Sequence, residues 1–240
     1  MNLKEKTIIL TGARRIGQVV AEELAKKGAN LAITYRNSKE ESEATCQACI
    51  AVGVKAEPFM ADLSKEEDIK RVLTEIKQSF GSIDGLVHMA ANYPKTPWSE
   101  VTGETLDQEY DIITKSAFEM GRLASQEMKN GRIIFISDWA ANRAPYKDYA
   151  PYLVAKGAVE TITRVLAVEL APDITVNAIA PGPILKPPDL SDEEDKEALS
   201  RTPLGRWGGA EEIAKAVLFF MESDFTTGVI LPVDGGRSIA

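Results

Sequence analysis

Apolar residues follow two alternating patterns along the chain: short unbroken runs, and longer stretches where they recur at every third or fourth position. The runs are Thr7 to Leu10, Leu31 to Tyr35, Val54 to Met60, Gly85 to Met89, Ile133 to Ile136, Thr175 to Ile179 and Val229 to Val233. Their length and continuity predict strands buried on both faces. The first helical stretch carries Ile16, Val19, Val20 and Leu24 on one side and ends at Gly28. Ser38-Lys-Glu-Glu41 reads as a capping box for a helix to about Val52, and Ser64-Lys-Glu-Glu67 as the cap of the next. A loop rich in proline and aromatic residues leads to a helix from about Leu106 to Met128. The helix through Tyr152 to Leu170 repeats Val154, Ala158, Ile162, Val165, Leu166 and Leu170 at threes and fours. A lid-like segment from Pro181 to Gly209 and a helix from Glu211 to Met221 precede the last strand. Strands alternating with amphipathic helices predict an α/β protein, a doubly wound parallel sheet with helices on both faces. In such a sheet ligands bind at the carboxyl ends of the strands.

Composition narrows the partners more than the fold. At 240 residues the chain holds one large domain or two small ones, and 44% hydrophobic residues suffice for a sizeable core. No repeat or linker divides it, which favours one domain. A formal net charge of −8 argues against nucleic acid or an anionic membrane as partner. The opening MNLKEKTIIL lacks the apolar core of a signal peptide, and no apolar run is long enough to span a bilayer, so a cytoplasmic location is expected. Cys46 and Cys49 form a C-x-x-C pair inside a polar helical stretch. A zinc site needs two more ligands from a chain with one histidine and no other cysteine, and a redox pair belongs at a helix start. The reading is therefore two reduced thiols and no metal.

Candidate chemistry gathers around Asp138, Tyr152 and Lys156. Tyr152 and Lys156 are four apart on a helix, so the phenol and the ammonium point into one space. A nearby cation favours phenolate, which suits a tyrosine to proton transfer. Asp138 stands at the end of the preceding strand. Gly12 and Gly17 flank a turn that leaves the first strand and opens a helix, as a phosphate-binding loop does. At the end of the second strand an NAD site wants an acid for the ribose hydroxyl. Here Tyr35-Arg36-Asn37-Ser38 offers a cation instead, and Arg36 with Arg14 or Arg15 suits the 2′-phosphate of NADP. The sole histidine, His88, reads as a strand-end side chain hydrogen-bonded to backbone. The acidic cluster Asp189 to Glu197 reads as a helix start at Ser191-Asp-Glu-Glu194 rather than as a patch for a cationic partner.

Thr11-Gly12…Gly17, Ala61-Asp62-Leu63, Tyr152-x-x-x-Lys156, Asn177, Pro181-Gly182 and Val233-Asp234-Gly235-Gly236 occur in order. In these the chain resembles the short-chain dehydrogenase/reductases over essentially its whole length, and within them it is most similar to the pteridine reductases. Arg15-Ile16-Gly17, Gly157 to Glu160 and Glu169 to Pro172 carry that second likeness, as does Asp138 where most members have serine. The resemblance implies a single Rossmann-type domain over residues 1–240 with seven strands, and a substrate lid over 183–209. Around NADP it places Gly12, Arg14, Arg15, Ile16 and Gly17 of the loop, Tyr35, Arg36, Asn37 and Ser38, then Asp62 and Leu63. His88, Ala90, Pro181, Gly182 and Ile184 complete that set, with Tyr93 and Arg15 beside the substrate. It also implies a dihedral homotetramer through the two long helices, to which Phe118, Leu123, Val159, Ile162 and Val165 lend surplus apolar surface. The departures are a glycine loop one residue short, His88-Met89-Ala90-Ala91 in place of Asn-Asn-Ala-Gly, and Ile113, beside Thr114, in place of the catalytic asparagine.

Asp138 argues for the substrate. A carboxylate cannot donate to an oxyanion and opposes the phenolate of Tyr152, so it suits a pterin-like or dihydrofolate-like ring imine with N–H donors. Tyr152 and Asp138 then govern the proton, Lys156 holds the nicotinamide ribose and tunes the tyrosine, and Tyr93 is a stacking platform. Two other readings remain open: a carbonyl reductase, for instance of 3-oxoacyl thioesters, and a non-catalytic NADP-binding regulatory protein.

Overall fold

The computed structural model describes residues 1–143, 145–187 and 190–240. Seven strands form one parallel sheet: β1 Thr7–Thr11, β2 Asn30–Tyr35, β3 Ala56–Met60, β4 Gly85–His88, β5 Gly131–Ile136, β6 Ile174–Pro181 and β7 Ile230–Val233. Their order is β3-β2-β1-β4-β5-β6-β7. The winding therefore reverses between β1 and β4, where Thr11 is level with His88, and the crevice at their carboxyl ends is where such sheets bind ligands.

Side chains alternate across each strand and divide into two cores. Ile9, Leu86, Ile133 and Phe135 face one side; Ile8, Leu10, Val87 and Ile134 face the other. The first side is covered by α3 Glu66–Phe80, α5 Ser116–Gln126 and α6 Ala150–Glu169, with α4 Gly103–Glu109 packed against α6. The second is covered by α1 Ile16–Lys26, α2 Lys39–Ala51 and α8 Ala210–Glu222. A shorter α7, Asp192–Ser200, buries none of its residues. Phe135 is wholly buried, which contributes about 1.5–3 kcal/mol. Its ring requires glycine opposite: a Cβ on Gly121 would lie 2.9 Å from Phe135 Cζ and 2.7 Å from Leu166 Cδ1.

The expected elements form, with shifts that have physical causes. Helix 106–128 begins earlier, at Gly103, because Thr102 and Thr105 cap it reciprocally. It also changes pitch, running through a wider π-type turn from Tyr110 to Lys115 before α5. Ser191 and Glu194 form the expected capping box, while Asp189 lies outside the described residues. The other two caps fail. The Ser38 side chain makes no capping bond. Ser64 gives its hydroxyl to Asp62 Oδ1 at 2.7 Å, so α3 starts only at Glu66.

The largest correction concerns α6. The apolar repeat read along it is split: Leu166 is buried and Ala158, Ile162 and Leu170 are half-buried, whereas Val154, 62% exposed, and Val165 point outward. The sheet side instead holds Tyr152, Leu153, Ala155, Lys156, Val159, Glu160, Thr163, Leu166 and Ala167. Small and polar residues share the buried face with Leu153, Val159 and Leu166, so the apolar repeat marks that face only in part. Leu123 and Val159, expected as surplus surface, are core; Phe118 and Val165 are exposed. No helix among the described residues is long and apolar enough to cross a membrane.

Candidate active site

The loop after β1 is folded tightly upon itself. Gly12 takes φ 84°, which glycine adopts without strain, and the Gly17 N–H donates to the Arg14 carbonyl at 2.9 Å. A Cβ on Gly17 would fall 1.9 Å from the Gly12 carbonyl oxygen, so only glycine fits there. A cavity of about 310 Å³ opens beside this loop. Of the expected residues, Gly12, Arg14, Tyr35, Arg36, Asn37, Ser38, Leu63 and Ala90 line it, joined by Thr34, Glu41, Ala91, Asn92 and Ile112. Arg14 is paired with Glu41, Nε to Oε1 at 3.4 Å.

Several expected contributors lie elsewhere. Arg15, Ile16, Gly17, Asp62, His88, Pro181 and Gly182 are not on the cavity wall. Burial resists ionisation of Asp62, but hydrogen bonds from Ser64 outweigh it and hold the carboxyl below its ordinary range. Ile184 lines a separate groove of about 570 Å³ between β7 and the 183–208 segment, which contains none of Asp138, Tyr152 or Lys156. The larger cavity is thus not where the candidate chemistry sits. Cys46 and Cys49 are free and buried, and burial pushes their thiols up to about 12 and about 11.

His88 departs from its expected role. Its ring bonds two hydroxyls rather than backbone, Nδ1 to Thr11 Oγ1 at 3.3 Å and Nε2 to Ser116 Oγ at 3.1 Å. Thr11 Oγ1 already accepts the Met89 and Ala90 N–H groups at 2.8 and 2.9 Å, so its own hydrogen goes to Nδ1. Nε2–H then donates to Ser116, whose hydroxyl donates to the Ile112 carbonyl at 2.6 Å. Burial, with Lys156 adding to it, pushes the imidazole down to about 3.

Asp138, Tyr152 and Lys156 come together at the end of β5, all three buried. Asp138 Oδ1 accepts the Ala140 N–H at 2.8 Å; Oδ2 accepts the Tyr152 hydroxyl at 3.1 Å and the Tyr146 hydroxyl at 3.3 Å. Lys156 Nζ donates to the Ile136 carbonyl at 2.7 Å and stands 5.7 Å from the centre of the Tyr152 ring. Of the two opposing influences expected on the tyrosine, the cation and the carboxylate, the carboxylate prevails. Burial first, then the Asp138 charge, pushes the Tyr152 phenol well above its ordinary value. Burial also pushes Lys156 down to about 8, against the pull of Asp138 and Glu109, and lifts the Asp138 carboxyl above its usual range despite its hydrogen bonds. The neighbouring Ser137 faces away, bonded to the Lys156 carbonyl and to Glu160.

Aromatic side chains wall this group. Tyr93 stacks on Tyr149 with centroids 4.5 Å apart and meets Tyr152 edge-on at 4.9 Å. Its hydroxyl donates to Tyr146 at 3.2 Å, and Tyr146 lies over Trp139 at 6.2 Å. Trp139, Tyr146 and Tyr149 were missed from sequence, although Tyr146, Tyr149 and Tyr152 are spaced by threes. Glu109 was missed too: it is 5% exposed, and its Oε2 has no hydrogen-bond partner. Ile113 is buried, and Thr114 beside it bonds the Ala155 carbonyl at 3.2 Å, tying the π-type turn to α6.

A family model described as enoyl-(acyl carrier protein) reductase matches residues 12–238. The hydroxynaphthalene reductase-like protein Arp2 of Metarhizium anisopliae is 32% identical over 255 residues, covering 98% of this chain and 96% of that protein. The 3-oxoacyl-[acyl-carrier-protein] reductase FabG of Staphylococcus aureus is 32% identical over 245 residues, 96% of this chain and 97% of FabG. Among solved structures, a short-chain dehydrogenase/reductase from Serratia marcescens superposes with a TM-score of 0.93 at 31% identity, covering 99% of this chain and all of that one.

The buried imidazole has a pH signature. Its folded-state value of about 3 lies below the ordinary 6.5, so between these the unfolded chain takes up a proton that the folded chain refuses. Stability is present above 6.5 and is lost as pH falls. Replacing His88 by Gln should shrink the drop in urea-unfolding free energy between pH 7 and pH 5 by about 2 kcal/mol; an unchanged drop would contradict a neutral buried ring.

Proposed function

The chain belongs to the short-chain dehydrogenase/reductase family, and on that premise we propose that it is an NADPH-dependent reductase of a ring imine in a flat, pterin-like or dihydrofolate-like heterocycle. The observation that carries this reading is the 3.1 Å bond from the Tyr152 hydroxyl to Asp138 Oδ2. A carboxylate there accepts N–H groups and holds Tyr152 protonated, yet it repels the charge that grows on a reduced ketone oxygen. Tyr152 gives its proton to the ring nitrogen, and Lys156, held by the Ile136 carbonyl, keeps a positive charge beneath it. Tyr93, 56% exposed and edge-on to Tyr152, offers a ring face on which a planar substrate stacks. Segment 183–209 is the cover that excludes water.

The cavity fits a dinucleotide phosphate. Gly12 lines the cavity at positive φ with nothing within 4 Å of where a Cβ would stand, which leaves loop backbone open to a pyrophosphate, and β2 ends without an acid. Arg14 is engaged by Glu41, which leaves Arg36 as the main cation for a 2′-phosphate. The reduced nicotinamide bound there supplies the hydride. A second reading, carbonyl reduction, is favoured by the names of the two curated relatives, hydroxynaphthalene reductase-like and 3-oxoacyl reductase. Val154, Val165 and Val168 of α6 with Phe118 of α5 form an uncovered apolar strip that supports a homotetramer built through these helices.

Three measurements test these proposals. By calorimetry NADPH should bind at least about tenfold tighter than NADH, about 1.4 kcal/mol, and Arg36→Asp should narrow or reverse the gap; equal affinities for the unaltered protein would remove the NADP assignment. Sedimentation at micromolar concentration should give a tetramer mass, and a monomer would refute the helix-paired assembly. With a pterin, a dihydrofolate, a 3-oxoacyl thioester and a simple quinone as substrates, Asp138→Ser should lower pterin reduction by about two to three orders of magnitude. The same change should leave ketone or quinone reduction unchanged or raised. Good ketone turnover without pterin turnover in the unaltered enzyme would decide for the carbonyl reading.

A further inference from the structure

Each reduction removes one proton from Tyr152, which is buried and must be refilled before the next cycle. Its hydroxyl has one partner among the described residues, Asp138 Oδ2. The same oxygen holds Tyr146 at 3.3 Å, and Tyr146 is in turn bonded by Tyr93 at 3.2 Å. Tyr93 is more than half exposed, so this row of oxygens runs unbroken from solvent to the buried phenol. No other side chain among the described residues bonds the Tyr152 hydroxyl: Lys156 Nζ is bonded to the Ile136 carbonyl, Ser137 is turned toward Glu160, and Ile113 carries no polar side-chain atom.

We propose that Tyr146, acting through Asp138 and fed by Tyr93, returns the proton to Tyr152 after each hydride transfer. This rests on the reductase reading but not on whether the acceptor is an imine or a carbonyl, since either consumes one proton. The step is balanced. Water gives a proton to the Tyr93 oxygen as Tyr93 passes its own to Tyr146, and Tyr146 passes its own to Asp138 Oδ2. The carboxyl then gives that proton to the Tyr152 phenolate and ends ionised, as it began. One proton enters from water, one has left with the product, and no electrons move along the row. Because both phenols meet the same carboxylate oxygen, the proton changes partner without the carboxyl group turning over. Burial, which lifts the Asp138 carboxyl above its ordinary range, eases its brief protonation. The groups facing Asp138 are Tyr146, Tyr152, Lys156 and the Ala140 N–H, and Tyr93 and Tyr149 form the wall beyond them.

The test uses Tyr146→Phe, which keeps the ring against Trp139 and Tyr149 and removes only the hydroxyl. With whichever substrate of the four above the unaltered enzyme reduces best, kcat should fall about tenfold or more with KM little changed, and the solvent deuterium isotope effect on kcat should rise. A weak acid such as imidazolium buffer should restore part of the rate. Unchanged kcat and isotope effect would overturn the relay, as would a loss that appears in KM alone. A second readout needs neither cofactor nor turnover: tyrosine ionisation followed by ultraviolet absorbance. Asp138→Asn should move two phenols to lower pH than in the unaltered protein, and Asp138→Asn with Tyr146→Phe only one. Movement of one phenol or none in the single variant would show that the two do not share the carboxylate. An enzyme inactive on all four substrates would remove the reductase reading, and the titration would still decide the hydrogen-bonded row.

Discussion

The site is built around an ammonium group taken out of water. Lys156 is buried against the sheet, and its one acceptor among the described residues is the carbonyl that ends β5. A desolvated charge is tolerated only where opposite charge and hydrogen bonds surround it. That requirement fixes the docking of α6: the helix must present Lys156 to Ile136, and four residues earlier this sets Tyr152 beside Asp138. Gly121, without a side chain, lets α5 come close enough to Phe135 and Leu166 to close the other side of the same layer. The first link is sequence spacing, the second is packing, and the chemistry follows from both.

The strands and the two helical layers were legible because buried parallel strands leave unbroken apolar runs and their helices leave a period near 3.6. Tyr152, Lys156, Asp138 and Gly12 were legible because fixed spacings on a helix, a strand end and a turn determine where side chains point. Other parts were hidden for specific reasons. The core side of α6 mixes Leu153, Val159 and Leu166 with alanine, threonine, glutamate and the site residues themselves, while Val154, Val165 and Val168 face outward, so apolar periodicity marked that side only in part. Ser64 was drawn from its capping role by the nearer acceptor on Asp62.

Tyr146, Tyr149 and Trp139 sit on or beside an irregular connection, where no period reports orientation, and their partners come from distant parts of the chain. Glu109 lies in a polar helical stretch that gives no sign of burial; its burial follows from the packing of α4 and the π-type turn against α6. His88 looked like a strand-end side chain and is instead one link between Thr11 and the turn carbonyl of Ile112. A lone sequence shows which residues can do chemistry, whereas tertiary contact decides which of them are kept from water.

The widened turn from Tyr110 to Lys115 has a meaning for how this site can change over time. A π-type turn holds one residue more than an α-helix of the same length needs and takes it up by widening, so the sequence registers of α4 and α5 are offset by one position. Loss of a single codon in that turn would let it close to α pitch and would withdraw the widened backbone whose Thr114 is bonded to the Ala155 carbonyl, next to the buried lysine. The seating of the lysine's helix on this turn is therefore set by a residue count as well as by residue type, and an insertion or deletion reaches it directly.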